Sequence, residues 1–127
     1  MYRKVTFYKT SEGKCPVAEF IDLQPVKVAQ KIVWVLKAVQ ELEKVPATYF
    51  KKITNTDFYE VRIQIGGNIY RLLGFFYNGN IVILTNGFQK KTQKTPPGEI
   101  ARAEKTPKTE LDICEERMKD FIKRGGI

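Results

Sequence analysis

The sequence predicts an α+β domain in which a helical hairpin packs on a β-sheet. Three observations carry this. Between Val26 and Lys44 the apolar residues recur at 4-3-4-3 spacing, the period of one helical face. Four β-type segments follow between Phe50 and Phe88, two of them joined by Asn78-Gly79. Helix-start signals return beyond Phe88. At 127 residues and 43% hydrophobic content, the chain suits one core and does not read as disordered.

Taken in order, Arg3 to Tyr8 alternates as a first strand, with Val5 and Phe7 facing one way and Lys4, Thr6 and Tyr8 the other. Pro16 opens a short helix through Leu23, at the first helical position, where its missing N–H costs nothing. Gln24-Pro25 breaks that helix. The second helix carries Val28, Ile32, Val35, Val39 and Leu42 on one face, and Trp34 beside this stripe reads as core or partner interface. Val45-Pro46 ends it. Phe50 to Ile53 is a short basic strand, and Phe58 to Ile65 alternates. Ile69 to Tyr77 and Ile81 to Phe88 are continuously apolar, as central strands are. Gly66-Gly67 and Asn78-Gly79 mark the two hairpins, the second as a type I′ turn. Lys94 to Ile100 is echoed by Lys105 to Leu111. Each copy reads as a helix start, with Thr95 or Thr106 as N-cap, proline next and Glu99 or Glu110 closing a capping box. Helices are expected from Pro97 to about Lys105 and from Lys108 to Lys123, and Gly125-Gly126 is expected to fray.

Composition narrows the chemistry. The chain has no histidine, which excludes a His general base, a Ser-His or Cys-His pair and His-ligated metal. Two cysteines, Cys15 and Cys114, suit free thiols in a reducing cytosol. Met1 to Tyr8 lacks the apolar run of a signal peptide, and no stretch approaches the roughly 20 apolar residues of a membrane span. A cytoplasmic location without membrane association is therefore expected. Lys plus Arg is 22 against 14 Asp plus Glu, a net charge of +8, which attracts polyanions such as nucleic acid.

Two even hairpin loops would set Arg62 opposite Arg71, Arg71 opposite Asn86 and Ile69 opposite Phe88. Directly opposed side chains share a face. Glu60, Arg62, Arg71, Asn86 and Phe88 then lie on one face near one end of the sheet, and Lys90 and Lys91 leave the last strand beside them. Such a cluster of cations points to an anion site. The alternative is that Glu60 neutralises one arginine and solvent screens the rest. The same face is expected to carry Leu73, Phe75, Val82 and Leu84. The helix from Lys108 to Lys123 would cover this strip through Leu111, Cys114, Met118 and Phe121, leaving the arginine end open.

Several runs carry a resemblance. Pro16-Val17-Ala18-Glu19-Phe20-Ile21-Asp22-Leu23, Tyr59-Glu60-Val61-Arg62, Tyr70-Arg71-Leu72-Leu73-Gly74-Phe75-Phe76 and above all Gly87-Phe88-Gln89-Lys90-Lys91-Thr92-Gln93-Lys94-Thr95-Pro96 are among them. The chain resembles, over about residues 3 to 105, the phage-derived HigB-like branch of the RelE/ParE toxin superfamily. The resemblance implies a RelE-like fold, with a twisted, mainly antiparallel sheet. It implies a toxin of a type II toxin–antitoxin module that cleaves mRNA in the ribosomal A site and is inhibited by a cognate helix-turn-helix antitoxin. It also implies metal-independent attack by the RNA 2′-OH, with no cofactor. Arg62 and Arg71 match positions that contact phosphate and would stabilise charge in the transition state. Lys90 and Lys91 match the basic position after the last strand, and either could be the general acid. Glu60 is the side-chain candidate for general base, where relatives often have lysine. Lys51, Lys52, Asn86, Phe88 and Lys94 complete the expected RNA-binding surface.

This reading divides the chain into a toxin domain over residues 1–105 and a C-terminal helical extension of the same domain over 106–127. The competing function is non-catalytic: a ParE-like topoisomerase inhibitor, or an inactive relative that binds only antitoxin. No tyrosine follows Lys91 where some relatives carry a catalytic one, which favours this alternative. Four cations on one sheet face favour the ribonuclease.

Overall fold

In the computed structural model, residues 1–90 and 106–126 are described. They form β1 (Lys4–Phe7), α1 (Pro16–Asp22), α2 (Val26–Glu41), β2 (Phe50–Lys52), β3 (Tyr59–Ile65), β4 (Asn68–Tyr77), β5 (Ile81–Lys90) and α3 (Lys108–Lys123). The five strands make one sheet in the order β1-β5-β4-β3-β2, with β1 parallel to β5 and the other pairings antiparallel. This α+β architecture, a helical hairpin on a mainly antiparallel sheet with a C-terminal helix, is the expected one and agrees with a RelE-like fold. None of its described helices is long and apolar enough to cross a membrane.

One face of the sheet takes the hairpin. Val28, Ile32, Val35, Leu36 and Val39 of α2 are buried against Val61, Ile63, Tyr70, Leu72, Val82 and Leu84. Full burial of a side chain of this size is worth about 1.5–3 kcal/mol, so this seam dominates the helix's stability over its propensity. Leu42, expected at the end of the stripe, is exposed because α2 stops at Glu41, and Leu36 takes its share of the core. Trp34 is not core either: it is 52% exposed.

The β4–β5 hairpin departs from expectation twice. Asn78 and Gly79 both have positive φ, at 52° and 86°, as a type I′ turn requires, yet Asn80 joins the loop and Tyr77 pairs with Ile81. That odd loop moves Ile81 and Ile83 onto the face of Phe75, and Val82 and Leu84 onto the hairpin face, the reverse of the expected placement. A bulge then inserts Thr85 between the Gly74–Leu84 and Leu73–Asn86 pairs, which restores the parity. Glycine is needed opposite the bulge, since a Cβ on Gly74 would lie 2.2 Å from the Ile83 carbonyl oxygen. The two one-residue departures leave every later residue of β5 on its expected face, with its partner shifted by two. Arg71 faces Phe88 rather than Asn86, and Ile69 faces Lys90 rather than Phe88.

The second face takes α3, through the expected Leu111, Cys114, Met118 and Phe121, packed on Leu73, Phe75 and Ile83 with Tyr8 and Phe58. Phe121 meets Phe75 and Tyr77 edge-on, at 5.6 and 5.1 Å between ring centroids. Gly125-Gly126 does not fray. Gly125 donates to the Ile122 carbonyl and Gly126 to that of Phe121, both glycines at positive φ, which is a Schellman termination. The start of α3 differs as well. Pro107 stands at the N-cap without a side-chain cap, and the first copy of the repeat lies outside the described residues.

A polar clasp ties α3 to β1. The Tyr8 hydroxyl donates to Asp120 at 2.5 Å, and Arg124 pairs with the same carboxylate oxygen at 2.8 Å. The Tyr8 hydrogen bond, and then that of Arg124, hold the Asp120 carboxyl below its ordinary range. A lowered folded pKa adds stability above the unfolded value of about 3.9, and that contribution is lost as pH falls through the folded value. Hydrogen exchange in residues 108–123 is therefore expected to rise below about pH 4, and Asp120→Asn to remove that dependence.

Candidate active site

The β3–β4 connection is the even loop expected. Ile65 pairs with Asn68 across Gly66-Gly67, which sets Arg62 directly opposite Arg71. Glu60, two residues before Arg62, shares their face by the period of the strand. This is the face away from the helical hairpin, where Glu60 lies opposite Leu73. The Glu60 carboxylate sits between the two guanidiniums: Oε1 is 3.4 Å from Arg62 Nε and Oε2 is 3.7 Å from Arg71 Nε. Both the Glu60 and Arg71 side chains are buried, whereas Arg62 is partly open to solvent. Burying an arginine costs desolvation, which the shared carboxylate and hydrogen bonds to backbone carbonyls offset. Arg71 Nη1 donates to the Tyr70 carbonyl at 3.0 Å, and Arg62 Nη1 to that of Ala47 at 3.2 Å. Lys90 is buried within β5 rather than leaving it. Its register partner Ile69 places it on the same face, two residues beyond Phe88, which lies opposite Arg71. Two arginines thus flank one carboxylate, and Lys90 lies farther along the same face.

Three expected residues, Lys52, Asn86 and Phe88, are separated from this cluster or covered. Lys51 pairs with Glu60 and shares its face, but Lys52 pairs with Tyr59 and falls in the register of the hairpin face. A strand cannot place neighbours on one face, so the two lysines do not act together. Asn86 lies under α3: its Nδ2 donates to Glu110 Oε1 at 3.1 Å, and its Oδ1 accepts from Thr85 at 2.6 Å. It is an anchor for α3 rather than an open RNA contact. Phe88 packs against the apolar cluster beneath α3. Lys91 and Lys94 lie outside the described residues.

The sequence reading missed what the two halves of the expected capping box do. Thr106 Oγ1 donates to Glu60 Oε2 at 3.0 Å, while Glu110 accepts from Asn86. Both side chains turn from the helix end toward the sheet, so the chain entering α3 is pinned across Glu60. It also missed a cleft of about 450 Å³ beside the cluster, lined by Lys31 of α2, by residues 47–49, and by Arg62, Ile63, Gln64 and Arg71. Lys31 had one signal, its i,i+3 spacing to Trp34. Tyr49 and Gln64 had none.

Gly87 sets the depth of β5. A Cβ there would lie 2.6 Å from a Phe20 ring carbon and 2.8 Å from Leu72 Cδ2, so α1 settles onto the strand only where no side chain intervenes. Gly87→Ala is expected to lower stability by about 1–3 kcal/mol in denaturant titration, through overpacking against Phe20.

Two comparisons with known proteins bear on this site. The family model described as phage-derived protein Gp49-like (DUF891) matches residues 19–119, a span that includes Glu60, Arg62, Arg71 and the Gly87–Pro96 run. A search of curated proteins finds no match.

Proposed function

Since this chain belongs to the phage-derived Gp49-like family, a family of RelE-like toxins, we propose that it is the toxin of a type II toxin–antitoxin module and acts as a ribosome-dependent mRNA interferase. A cognate helix-turn-helix antitoxin would inhibit it, and its place of action would be the cytoplasm. The observation that carries the catalytic reading is the cross-strand Arg62–Arg71 pair around Glu60, beside an open cationic cleft.

In the proposed step the RNA 2′-oxygen bonds to the adjacent phosphorus and the 5′-oxygen leaves, giving a 2′,3′-cyclic phosphate and a 5′-hydroxyl. Negative charge grows on the equatorial oxygens of the phosphorane, where Arg62 and Arg71 would supply preorganised donors. Lys90 or Lys91 would give the leaving oxygen its proton, and Glu60 would take that of the 2′-OH. The 2′-OH is carried by the substrate, so the mechanism needs no metal to generate a nucleophile.

One observation favours the non-catalytic reading. Both carboxylate oxygens of Glu60 already have partners, Oε2 those of Arg71 and Thr106. A base there would have to release one of them. Induced expression followed by mapping of mRNA 5′ ends, with plasmid supercoiling followed in parallel, separates the two. Cuts within translated codons are expected; altered supercoiling over intact mRNA would establish the topoisomerase inhibitor instead.

A further inference from the structure

We propose that the cleft beside Arg62 and Arg71 is a nucleotide subsite, which holds one RNA base against the ring of Tyr49 and the adjoining phosphate among Lys31, Arg62 and Arg71. The inference rests on the RNA-cleaving reading of the same site and adds the place where sequence preference would arise.

The backbone creates the opening. β2 covers only Tyr59 to Val61 of β3, and the Arg62 amide donates to the Tyr49 carbonyl at 2.7 Å. Beyond that bond β2 no longer borders β3, and the cleft occupies the space between the sheet's end and α2. Its volume of about 450 Å³ lies in the range of small-ligand sites. Its described lining holds three cations and no carboxylate. Such a site takes an anion that also presents a flat face.

The aromatic wall is built for that face. Tyr49 is turned back by the hydrogen bond its backbone N–H donates to the Pro46 carbonyl at 2.9 Å, and its ring meets Trp34 edge-on at 5.4 Å and 77°. Lys31 Nζ lies 4.7 Å from the centroid of Trp34 and 5.9 Å from that of Tyr49. Trp34 braces the tyrosine and holds the lysine beside it, a reason for so large an apolar side chain to stand half exposed. Trp34 is a positioning residue in this arrangement, and Tyr49 makes the contact. Gln64, exposed at the cleft and held only by a 3.4 Å bond to the Gly66 carbonyl, offers an amide to a base edge. A simpler reading makes the Lys31–Trp34–Tyr49 group a clip that fastens the loop to α2.

The two readings differ in what Tyr49→Ala does to RNA. In cells, 5′-end mapping is expected to show that this variant cuts mRNA about tenfold less and loses the base preference at one position beside the cut, while Tyr49→Phe keeps both. In vitro, Trp34 is the sole tryptophan and stands against two residues of the cleft, Tyr49 and Lys31. A short 2′-O-methyl RNA is expected to quench its emission and to bind Tyr49→Ala about tenfold more weakly, with inorganic tripolyphosphate bound within about twofold of wild type. Retained tripolyphosphate binding also shows that the variant is folded. Should Tyr49→Ala misfold, Lys31→Gln, on a partly exposed turn of α2, is expected to weaken both ligands. Wild-type cleavage with unchanged sites and frequency in Tyr49→Ala, or in Lys31→Gln where that variant carries the test, overturns the subsite and leaves the ribonuclease standing. Intact mRNA under the wild-type protein overturns the ribonuclease reading, and the subsite falls with it.

Discussion

Arg71→Ala is expected to abolish toxicity while the fold survives. The strand around it is held by Leu72, Leu73 and Phe75, all buried, on the two faces of the sheet. Glu60 keeps Arg62 and the Thr106 hydroxyl as partners when Arg71 is removed. Its carboxylate is therefore not left buried alone, the situation that makes breaking such a pair most costly. Loss of one charge-stabilising contact at a phosphorane is worth about 10²–10³ in rate. Arg71→Lys should recover only part of it, because an ammonium keeps the charge and loses the planar fork that grips two oxygens. The measurement is growth after induction together with the count of new mRNA 5′ ends, with circular dichroism to confirm folding. A folded Arg71→Ala protein as toxic as wild type would make Arg71 a structural residue.

Why the site's face and its Arg62–Arg71 pairing were legible while the β4–β5 pairings were not follows from the period of a strand. A residue's face depends only on whether the residues between it and a reference are even or odd in number. The register depends on their actual count. The extra loop residue Asn80 and the bulged Thr85 each changed the parity once, so Arg71, Phe88 and Asn86 kept their common face although their partners moved by two. Between those two points the parity was wrong, and Val82 and Leu84 were assigned to the opposite face. Nothing in the apolar run from Ile81 to Leu84 opposes either placement, since both faces are covered. The apolar stripe of α3 was legible because polar residues flank it. The cleft was not: it depends on where Pro46 turns the chain to set Tyr49 beside α2, a contact between segments with no shared periodicity. Thr106 and Glu110 were read as a local cap because both stand within five consecutive residues. Their partners Glu60 and Asn86 are far away in sequence.

Removing residues 106–127 is expected to yield an insoluble or unfolded chain. Without α3 the sheet would present Phe58, Leu73, Phe75 and Ile83 to water, with Tyr8 at the edge, all buried in the full protein. A contiguous apolar surface of this kind on a monomer drives aggregation. The truncation also strands Asn86 without Glu110 and the Thr85 carbonyl without the 2.8 Å bond from Arg117. A graded version keeps the experiment interpretable. Phe121→Ala removes one ring from against Phe75 and Tyr77 and should cost about 3–5 kcal/mol, a large share of the roughly 5–15 kcal/mol that holds a domain together. Cys114 reports on the same packing, as its thiol is fully buried and desolvation pushes its pKa up to about 11. In the wild-type protein a thiol reagent near neutral pH should label Cys15 and spare Cys114. In Phe121→Ala, Cys114 should react at a rate set by how often α3 lifts from the sheet. A truncated chain that is soluble, folded and still toxic would show that α3 is dispensable to the core. Unchanged protection of Cys114 in Phe121→Ala would show that its grip lies elsewhere along the helix.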